Sequence, residues 1–356
     1  MRRVGNGFSL LLVILILAAC GRPEPWRREA YVFGTRIEIL VQHSAGVDEN
    51  SAGLAMGEVL REFERLHHTY HAWQPSELTA LNTAIAAGRS HEVSAELATL
   101  IVDAQKIAAA GDYLFDPGIG KLIALWGFQG DEIVARRPDP TQLNVLLAEH
   151  PSIGDLRLNN QTITSKNRGV VLDFGGYLKG VALDRAAVIL HKRGIQHALI
   201  NIGGNVMALG NRDGAAGGKS WRVGIQHPRA EQHGGSPLAS LDLRDGEAIG
   251  TSGDYHRYFE INGQRYCHLI DPRSGRPAVG TQSVTILIPP GPAAGMLSDA
   301  LSKPIFIAGD QWREMTQRLG VAAVLRVGAD GTPLATAAMH ARLAVEAPGT
   351  KIKLAD

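Results

Sequence analysis

The feature that most constrains this chain is a strand–turn–helix pattern at residues 170–184, which read VVLDFGGYLKGVALD. The apolar run before Asp173 predicts a strand, the glycine pair Gly175-Gly176 predicts a tight turn, and a helix is predicted to begin at Lys179-Gly180. Such glycines let backbone approach a ligand closely, and a helix N-terminus offers N–H groups to anions. The pattern favours a nucleotide-like ligand, and an ordinary strand–helix turn is the alternative. Its glycine spacing matches neither the dinucleotide nor the P-loop motif.

The N-terminal residues have the pattern of a bacterial export signal. Two arginines precede an apolar run from Leu10 to Leu17, and two alanines then lead to Cys20. This run is too short to span a bilayer core of about 30 Å. A cysteine at the cleavage point resembles a lipobox and predicts a lipoprotein signal over residues 1–19. Cys20 would then carry the lipid and hold the chain on the periplasmic side of a bacterial membrane; the alternative is an ordinary secretory signal with an incidental cysteine.

Composition narrows the kinds of fold and partner. Cys267 is the only cysteine after Cys20, so the mature chain cannot form an intramolecular disulfide and must be stabilised by burial of its core. The net charge is +1 at neutral pH, and no run of basic residues stands out. Nucleic acid is therefore not an expected partner.

The hydrophobic pattern predicts one mixed α+β unit. Residues 20–29 are polar and contain proline, which indicates a tether, and residues 30–350 follow as one domain. Helices are predicted at 52–67, 92–110, 182–193, 293–301 and 311–319. Strands are predicted at 36–41, 198–202, 221–225, 258–261 and 283–288, with a type I′ hairpin turn at Asn262-Gly263. Strands and helices interleave without a regular βαβ repeat, which favours α+β over a doubly wound sheet.

Several different loop motifs follow one another along the chain. They are Phe33-Gly-Thr, Ser76-Glu-Leu with Leu81-Asn, Phe115-Asp-Pro, Leu125-Trp-Gly-Phe, Leu172-Asp-Phe-Gly-Gly, Lys179-Gly, Asn201-Ile-Gly-Gly, Thr251-Ser-Gly-Asp-Tyr, His268-Leu-Ile-Asp-Pro and Asp299-Ala-Leu. They cover nearly all of the mature chain, and their order resembles that of the ApbE family of flavin transferases. The resemblance implies the ApbE-like fold, with mixed sheets and flanking helices.

The resemblance also implies a reaction. Enzymes of this family bind FAD with Mg²⁺, cleave its pyrophosphate, and join the FMN half to a threonine or serine hydroxyl of a partner protein, releasing AMP. The acceptor expected here is a membrane-linked redox subunit. Two other functions stay open, a periplasmic lipoprotein that only stores or presents FAD, and a metal-dependent FAD pyrophosphatase that gives free FMN and AMP.

Roles for individual residues follow from the same resemblance. Asp173 would contact the flavin nucleotide, and Lys179 would lie beside it; the alternative for Lys179 is a surface lysine at the start of a helix. His268 is expected to contact FAD and to be the general base toward the acceptor hydroxyl, because imidazole titrates near neutrality. The alternative is a histidine at the end of the hairpin that is satisfied by backbone. The remaining residues expected to bind FAD are Phe33, where the family usually has methionine, Trp73, where it has another aromatic residue, and Leu114, Phe115 and Asp116 on the adenosine side.

The metal position departs from the family pattern. Asp299 and the backbone carbonyl of Gly176 would bind Mg²⁺, but the family threonine one helical turn after the aspartate is replaced by Lys303. A protonated lysine has no lone pair for a metal. Lys303 points away, or it takes part of the cation's role against the phosphates, or the protein binds flavin without turning it over.

Two other polar features have structural interpretations. His67, His68 and His71 invite a zinc site, but no acidic or cysteine partner is evident nearby, so a solvated helix end is favoured. Asp271 is expected to cap the turn at Pro272 rather than to act in chemistry.

Overall fold

The computed structural model describes residues 24–130, 132–215, 217–233, 235–347 and 349–355. The predicted signal peptide and Cys20 lie outside the described residues. Within the described ranges, no helix is both long enough and apolar enough to cross a membrane.

Several helices begin at a side-chain cap, as at Asp48 before the first helix and Ser76 before the second. Their bounds are α1 (Glu49–Thr69), α2 (Glu77–Ala86), α3 (Ala95–Ala110), α4 (Gly120–Leu125), α5 (Pro140–Glu149), α6 (Leu178–Lys192), α7 (Ala294–Ile307), α8 (Trp312–Arg318) and α9 (Ala337–His340).

The strands are mostly short, with four to eight residues in the longer ones. Their bounds are β1 (Trp26–Val32), β2 (Thr35–Val41), β3 (His91–Glu92), β4 (Leu156–Asn159), β5 (Thr162–Ser165), β6 (Ala198–Ile202), β7 (Asn205–Leu209), β8 (Trp221–Ile225), β9 (Ala239–Leu243), β10 (Ala248–Gly253), β11 (Tyr258–Ile261), β12 (Gln264–Cys267), β13 (Ile270–Asp271), β14 (Arg276–Pro277), β15 (Thr281–Ile288), β16 (Ala323–Gly328), β17 (Pro333–Ala335), β18 (Leu343–Val345) and β19 (Lys353–Leu354).

A nine-stranded sheet runs through the centre of the molecule in the order β1-β2-β6-β7-β10-β15-β16-β17-β19. Neighbouring strands are antiparallel, except for the parallel pair β17 and β19. Alternate side chains of the sheet enter different cores, because successive residues of a strand face opposite sides. Ile200 and Met207 pack with helices α1, α6 and α7, whereas Ala208 packs with β8 and β9. The α+β prediction is confirmed.

A stack of aromatic rings fixes the hairpin of β11 and β12. The Tyr266 ring lies 5.3 Å from that of Phe259 and 5.7 Å from that of Trp126, and the Trp126 indole donates to the carbonyl of Gly275 at 2.7 Å. The predicted turn at Asn262-Gly263 is confirmed, with φ of 52° and 74°. Because β12 ends at Cys267, this stack also fixes where the next residue of the chain lies.

The ordered unit extends beyond the predicted domain bounds. The tether prediction over 20–29 is wrong at its end, since Trp26–Glu29 pairs with β2, and residues 353–354 pair with β17. The strand expected before Asp173 is reduced to a single parallel bridge between Val171 and Ile119. Whether such a short segment forms a strand depends on pairing with segments that are distant in sequence, so the local sequence pattern does not predict it.

Helix bounds differ from the predictions where tertiary contacts dominate. The helix expected from Glu92 begins at Ala95, because His91 and Glu92 pair with β5. The helix expected to end at Leu301 continues through Pro304 to Ile307, although proline cannot donate a helical hydrogen bond. The residues after Pro304 are fully buried, and this burial keeps them helical. Helix α2 is an element that the periodicity did not predict.

Helices α6 and α7 approach closely enough that only glycine fits at Gly180. A Cβ there would overlap the carbonyl of Gly295 and lie 2.7 Å from the Cβ of Asp299. We expect Gly180→Ala to lower the free energy of unfolding by about 1–3 kcal/mol, the usual range for overpacking. Gly57→Ala on α1 is the control, because its nearest neighbour is a flexible arginine end at 3.5 Å. Urea unfolding of both variants measures this, and equal effects would contradict a tight helix crossing.

Candidate functional site

One pocket of about 340 Å³ brings together every residue that the sequence marked as binding or catalytic within the described ranges. Its walls come from the turn after β1, the loops before α4 and α6, the segment after β12, and helix α7. The predicted residues that line it are Phe33, Trp73, Leu114, Phe115, Asp116, Asp173, Gly176, Lys179, His268, Asp299 and Lys303. Their proximity is therefore established, while the role assigned to each stays a prediction.

Phe33 reaches the pocket from a strained turn. Phe33 and Gly34 join β1 to β2 and have φ of 57° and 69°, the left-handed backbone of a type I′ turn. This conformation costs a residue other than glycine about 1–2 kcal/mol. The Phe33 ring packs against Phe63 at 6.1 Å and edge-on to His67 at 5.7 Å. Strain of this kind is typical of functional sites, where the fold holds a side chain in place.

Trp73 offers a flat apolar surface to the pocket and is 39% exposed. The rings of His71 and Trp73 pack edge to face, with their centroids 4.7 Å apart. His71 is buried, and its Nδ1 accepts from the backbone N–H groups of Trp73 and Gln74 at 3.3 and 3.1 Å. The solvated helix end is thus wrong for His71, which instead fixes the backbone of Trp73, whereas His68 is exposed.

Two buried carboxylates shape the loops around the pocket. Asp116 accepts from the N–H groups of Gly118 at 2.7 Å and Ile153 at 2.8 Å, and Asp173 accepts from that of Gly175 at 2.8 Å. Burial raises the pKa of both carboxyls, and these hydrogen bonds oppose the rise. Asp173 therefore forms the turn of the opening motif, a structural role beside the predicted contact with the ligand.

Asp299 lies at the base of the pocket, held between two lysines. Its Oδ1 is 2.6 Å from Lys303 Nζ and 3.6 Å from Lys179 Nζ, and its Oδ2 accepts from the N–H of Gly180 at 3.0 Å. Burial alone would raise the pKa of Asp299, but the two ammonium charges outweigh burial and lower it. Burial also lowers the pKa of Lys303 to about 8, while Asp299 opposes the shift. Two positive charges face one negative charge, which leaves the base attractive to an anion.

The protein groups around Asp299 do not fit the coordination of a Mg²⁺ ion. Mg²⁺ requires oxygen ligands in near-octahedral geometry. Both carboxylate oxygens already accept from N–H donors, and the backbone oxygen of Asp299 accepts from Lys303 Nζ at 2.7 Å and Ser302 Oγ at 2.8 Å. Across the described residues, no three His, Cys, Asp or Glu side chains are grouped to hold a metal. Lys303 points onto Asp299 and not away from it.

His268 is held in one tautomer. Its Nδ1 lies 3.2 Å from the carbonyl of Arg257, and since a carbonyl can only accept, Nδ1 carries the proton. Nε2 is then the basic nitrogen of a ring that lines the pocket. Burial, the charge on Arg257 and that on Lys179 lower the pKa of His268 to about 3, so the ring is neutral at physiological pH.

Arg257 and His256 are pocket residues that sequence reasoning missed. Arg257 donates from Nη2 to the carbonyls of Phe128 and Gly130, both at 2.9 Å, and its charge acts on Asp173 as well as on His268. The motif that ends at Tyr255 stops just before them. Since Arg257 directly precedes the strand predicted at 258–261, no local signal distinguishes it. Asp271 accepts from the N–H of Arg273 at 2.9 Å, so its predicted capping role is confirmed.

Comparison with known proteins identifies the family. A model of the ApbE family matches residues 33–325. The chain belongs to the ApbE family. It is 40% identical over 314 residues to an FAD:protein FMN transferase of Rhodobacter capsulatus, and the aligned region covers 88% of this chain but only 57% of that protein. It is 29% identical over 311 residues to an FAD:protein FMN transferase of Vibrio cholerae, which covers 86% and 88% of the two chains.

A solved member of the ApbE family shares the fold. The ApbE protein of Thermotoga maritima matches with a TM-score of 0.77 and 30% identity, covering 87% of this chain and 96% of that one. The chain thus spans little more than half of the Rhodobacter protein but most of the other two. Both the predicted family and the predicted fold are confirmed.

Proposed function

We propose that this chain is an FAD:protein FMN transferase that transfers FMN to a threonine or serine hydroxyl of a partner protein and releases AMP. The observation that carries the proposal is the pair Lys179 and Lys303 over Asp299, at the base of a pocket with aromatic walls. Ammonium groups neutralise phosphate charge, and aromatic rings stack on flat heterocycles. FAD contains both phosphates and flat heterocycles. The relatives from Rhodobacter capsulatus and Vibrio cholerae are named FAD:protein FMN transferases.

The transfer is a displacement at one phosphorus. The acceptor hydroxyl oxygen attacks the phosphorus of the FMN half and forms a new P–O bond. The bond from that phosphorus to the bridging oxygen breaks, and AMP leaves with the bonding electrons. The hydroxyl proton passes to Nε2 of His268, which its fixed tautomer leaves free to accept it.

Other pocket residues bind and orient. Phe33 and Trp73 present rings to the isoalloxazine or adenine, and residues 114–116 line the adenosine side. Lys179 and Lys303 contact the pyrophosphate. No step is assigned to Mg²⁺, since the N–H donors around Asp299 occupy the oxygens that a metal would need.

We also propose the place of the reaction. A lipid on Cys20 would hold the enzyme on the periplasmic side of a bacterial membrane, and a membrane-linked redox subunit would be the acceptor. The support is the sequence pattern at the N-terminus, which lies outside the described residues. Metabolic labelling with a palmitate analogue tests the lipid anchor. The wild-type chain should be labelled and Cys20→Ser should not. A wild-type chain that is not labelled, or labelling that persists in Cys20→Ser, would contradict the anchor at Cys20.

Mass spectrometry of an incubated acceptor tests the reaction. The purified chain is mixed with FAD and an exported redox domain that carries a threonine, with excess MgCl₂ in one arm and excess EDTA in another. A gain of one FMN on the acceptor, with AMP in solution, is the expected result. Free FMN with AMP would indicate a pyrophosphatase, and intact bound FAD would indicate a storage protein. Either outcome, or no flavin binding, would overturn the proposal.

The kcat/KM of FMN transfer is not expected to fall as the pH is lowered through about 6.5, the usual pKa of histidine. His268 has a pKa of about 3, so its neutral, proton-accepting form persists well below the titration range of an ordinary histidine. The unfolded chain takes up this proton at higher pH, so the contribution of His268 to stability falls as pH drops from about 6.5 toward 3. Steady-state kcat/KM between about pH 4 and 8 checks the prediction. A limb near pH 6.5 that disappears in His268→Gln would contradict it.

A further inference from the structure

Lys303 binds Asp299, the carboxylate that the family resemblance expects to hold Mg²⁺. Its Nζ donates to Oδ1 of Asp299 at 2.6 Å and to the backbone oxygen of the same residue at 2.7 Å. The Lys303 side chain is 10% exposed and the Asp299 side chain 1%. An ammonium at this depth needs a paired charge, and the carboxylate supplies it. Lys303 and Asp299 therefore form a buried ion pair and not a surface one.

The fold makes room for this lysine. A Cβ on Gly176 would lie 3.2 Å from Cε and 3.3 Å from Cδ of Lys303, and 3.0 Å from the ring of Phe115. The absence of a side chain at position 176 lets the lysine stem lie against the loop before α6. The same glycine-containing turn carries Asp173, so the turn motif and Lys303 are packed as one surface.

The donors of Lys303 are only partly used. An ammonium has three N–H donors, and two of them bind Asp299, which leaves one for a ligand in the pocket. Lys179 Nζ lies 3.6 Å from the same Oδ1 and donates to the carbonyl of Gly175 at 3.3 Å. Two ammonium groups against one carboxylate leave one net positive charge for a phosphate oxygen. A metal would have to displace both nitrogens and would meet two like charges.

We propose that Lys303, anchored on Asp299 and assisted by Lys179, replaces the divalent cation of this site, so that the chain binds FAD and acts on its pyrophosphate without Mg²⁺. This inference rests on the proposed function for its substrate. The ammonium is a permanent part of the chain and supplies the charge neutralisation that phosphoryl transfer needs. The hydroxyl proton and the leaving AMP move as described above.

Flavin binding provides the first test, because it does not depend on turnover. FAD fluorescence is titrated with the full chain in excess EDTA and in excess MgCl₂. We expect equal affinities for the wild-type chain. Lys303→Thr is expected to bind about 10- to 100-fold more weakly in EDTA, the range for losing a charged hydrogen bond, and to recover when MgCl₂ is added. Lys303→Met removes both the charge and any metal ligand, so MgCl₂ is not expected to rescue it.

The controls separate the charge from general effects on folding. Lys106→Thr changes a lysine that pairs with Asp103 on the exposed face of α3, and it should bind FAD as the wild-type chain does in both conditions. Circular dichroism verifies that each variant is folded. Wild-type binding that EDTA abolishes and MgCl₂ restores would overturn the inference. So would Lys303→Thr binding in EDTA as tightly as the wild-type chain.

The transfer assay then separates this inference from the proposed function. Equal FMN transfer in EDTA and MgCl₂ supports both. Metal-independent FAD binding without transfer in either condition would reject the transferase proposal and uphold the role of Lys303 in binding FAD, and release of AMP in EDTA would uphold its role at the pyrophosphate as well. Transfer that requires MgCl₂ would uphold the transferase and reject the role of Lys303.

Discussion

Replacing His268 with glutamine is expected to slow FMN transfer by about 10²- to 10⁴-fold, the usual contribution of a general base. Glutamine keeps a hydrogen-bonding side chain next to the carbonyl of Arg257 but has no basic ring nitrogen to receive the hydroxyl proton during the reaction. FAD binding should change little, because the bonds that hold His268 run to the backbone and not to the lysines at the base of the pocket. Single-turnover transfer rates and FAD affinities, measured on the same preparation, separate the two effects.

A histidine outside the pocket serves as the matched control. His68 is exposed near the end of α1, so His68→Gln should transfer FMN at the wild-type rate. A small loss in His268→Gln, comparable to that of the control, would mean that another group or water takes the hydroxyl proton. A loss of FAD affinity equal to the loss of rate would instead assign His268 to binding.

The second large effect is expected at Asp299. Asp299→Ala leaves the ammonium of Lys303 in the core without its carboxylate partner, and breaking a buried pair in this way costs about 3–5 kcal/mol of stability. The variant also loses the acceptor for the N–H of Gly180 at the crossing of α6 and α7. Urea unfolding should therefore show a much lower midpoint for Asp299→Ala than for the wild-type chain.

A double variant distinguishes the loss of pairing from the loss of packing. Asp299→Leu with Lys303→Met replaces the pair by apolar side chains, which is often neutral or stabilising in buried positions, so most of the stability should return while FAD binding stays as weak as in Lys303→Met. Asp103→Ala breaks the exposed pair with Lys106 and should cost less than about 1 kcal/mol. If the double variant were as unstable as Asp299→Ala, packing rather than the unpaired charge would account for the loss.

Local sequence predicted the elements whose signal is contained within a few residues. The strands at 198–202, 221–225 and 258–261 have the predicted bounds, and the turn at Asn262-Gly263 has the positive φ values that its residues favour. Elements defined by distant partners were misjudged. Residues 27–29 are all charged, yet they belong to an edge strand because β2 supplies the backbone partners.

For the pocket, motif order was more informative than any single motif. The residues predicted to bind or to react come from segments spread between Phe33 and Lys303, and all of those segments meet at one pocket. Arg257 was missed, since its role depends on carbonyls at Phe128 and Gly130, more than a hundred residues earlier. A single arginine in a predicted hairpin gives no sign of such a contact.

The sequence alone determined the family, the candidate site residues and the departure at position 303. The four-residue spacing on one helix brought Lys303 within reach of Asp299. It left open whether Lys303 points away, takes part of the cation's role, or leaves a protein that binds flavin without turning it over. The tertiary structure decided only the first of these, since Lys303 points onto Asp299. The close packing of α6 on α7 and the bare backbone of Gly176 enclose the lysine stem, and in that buried space the ammonium binds the carboxylate because it has lost its water.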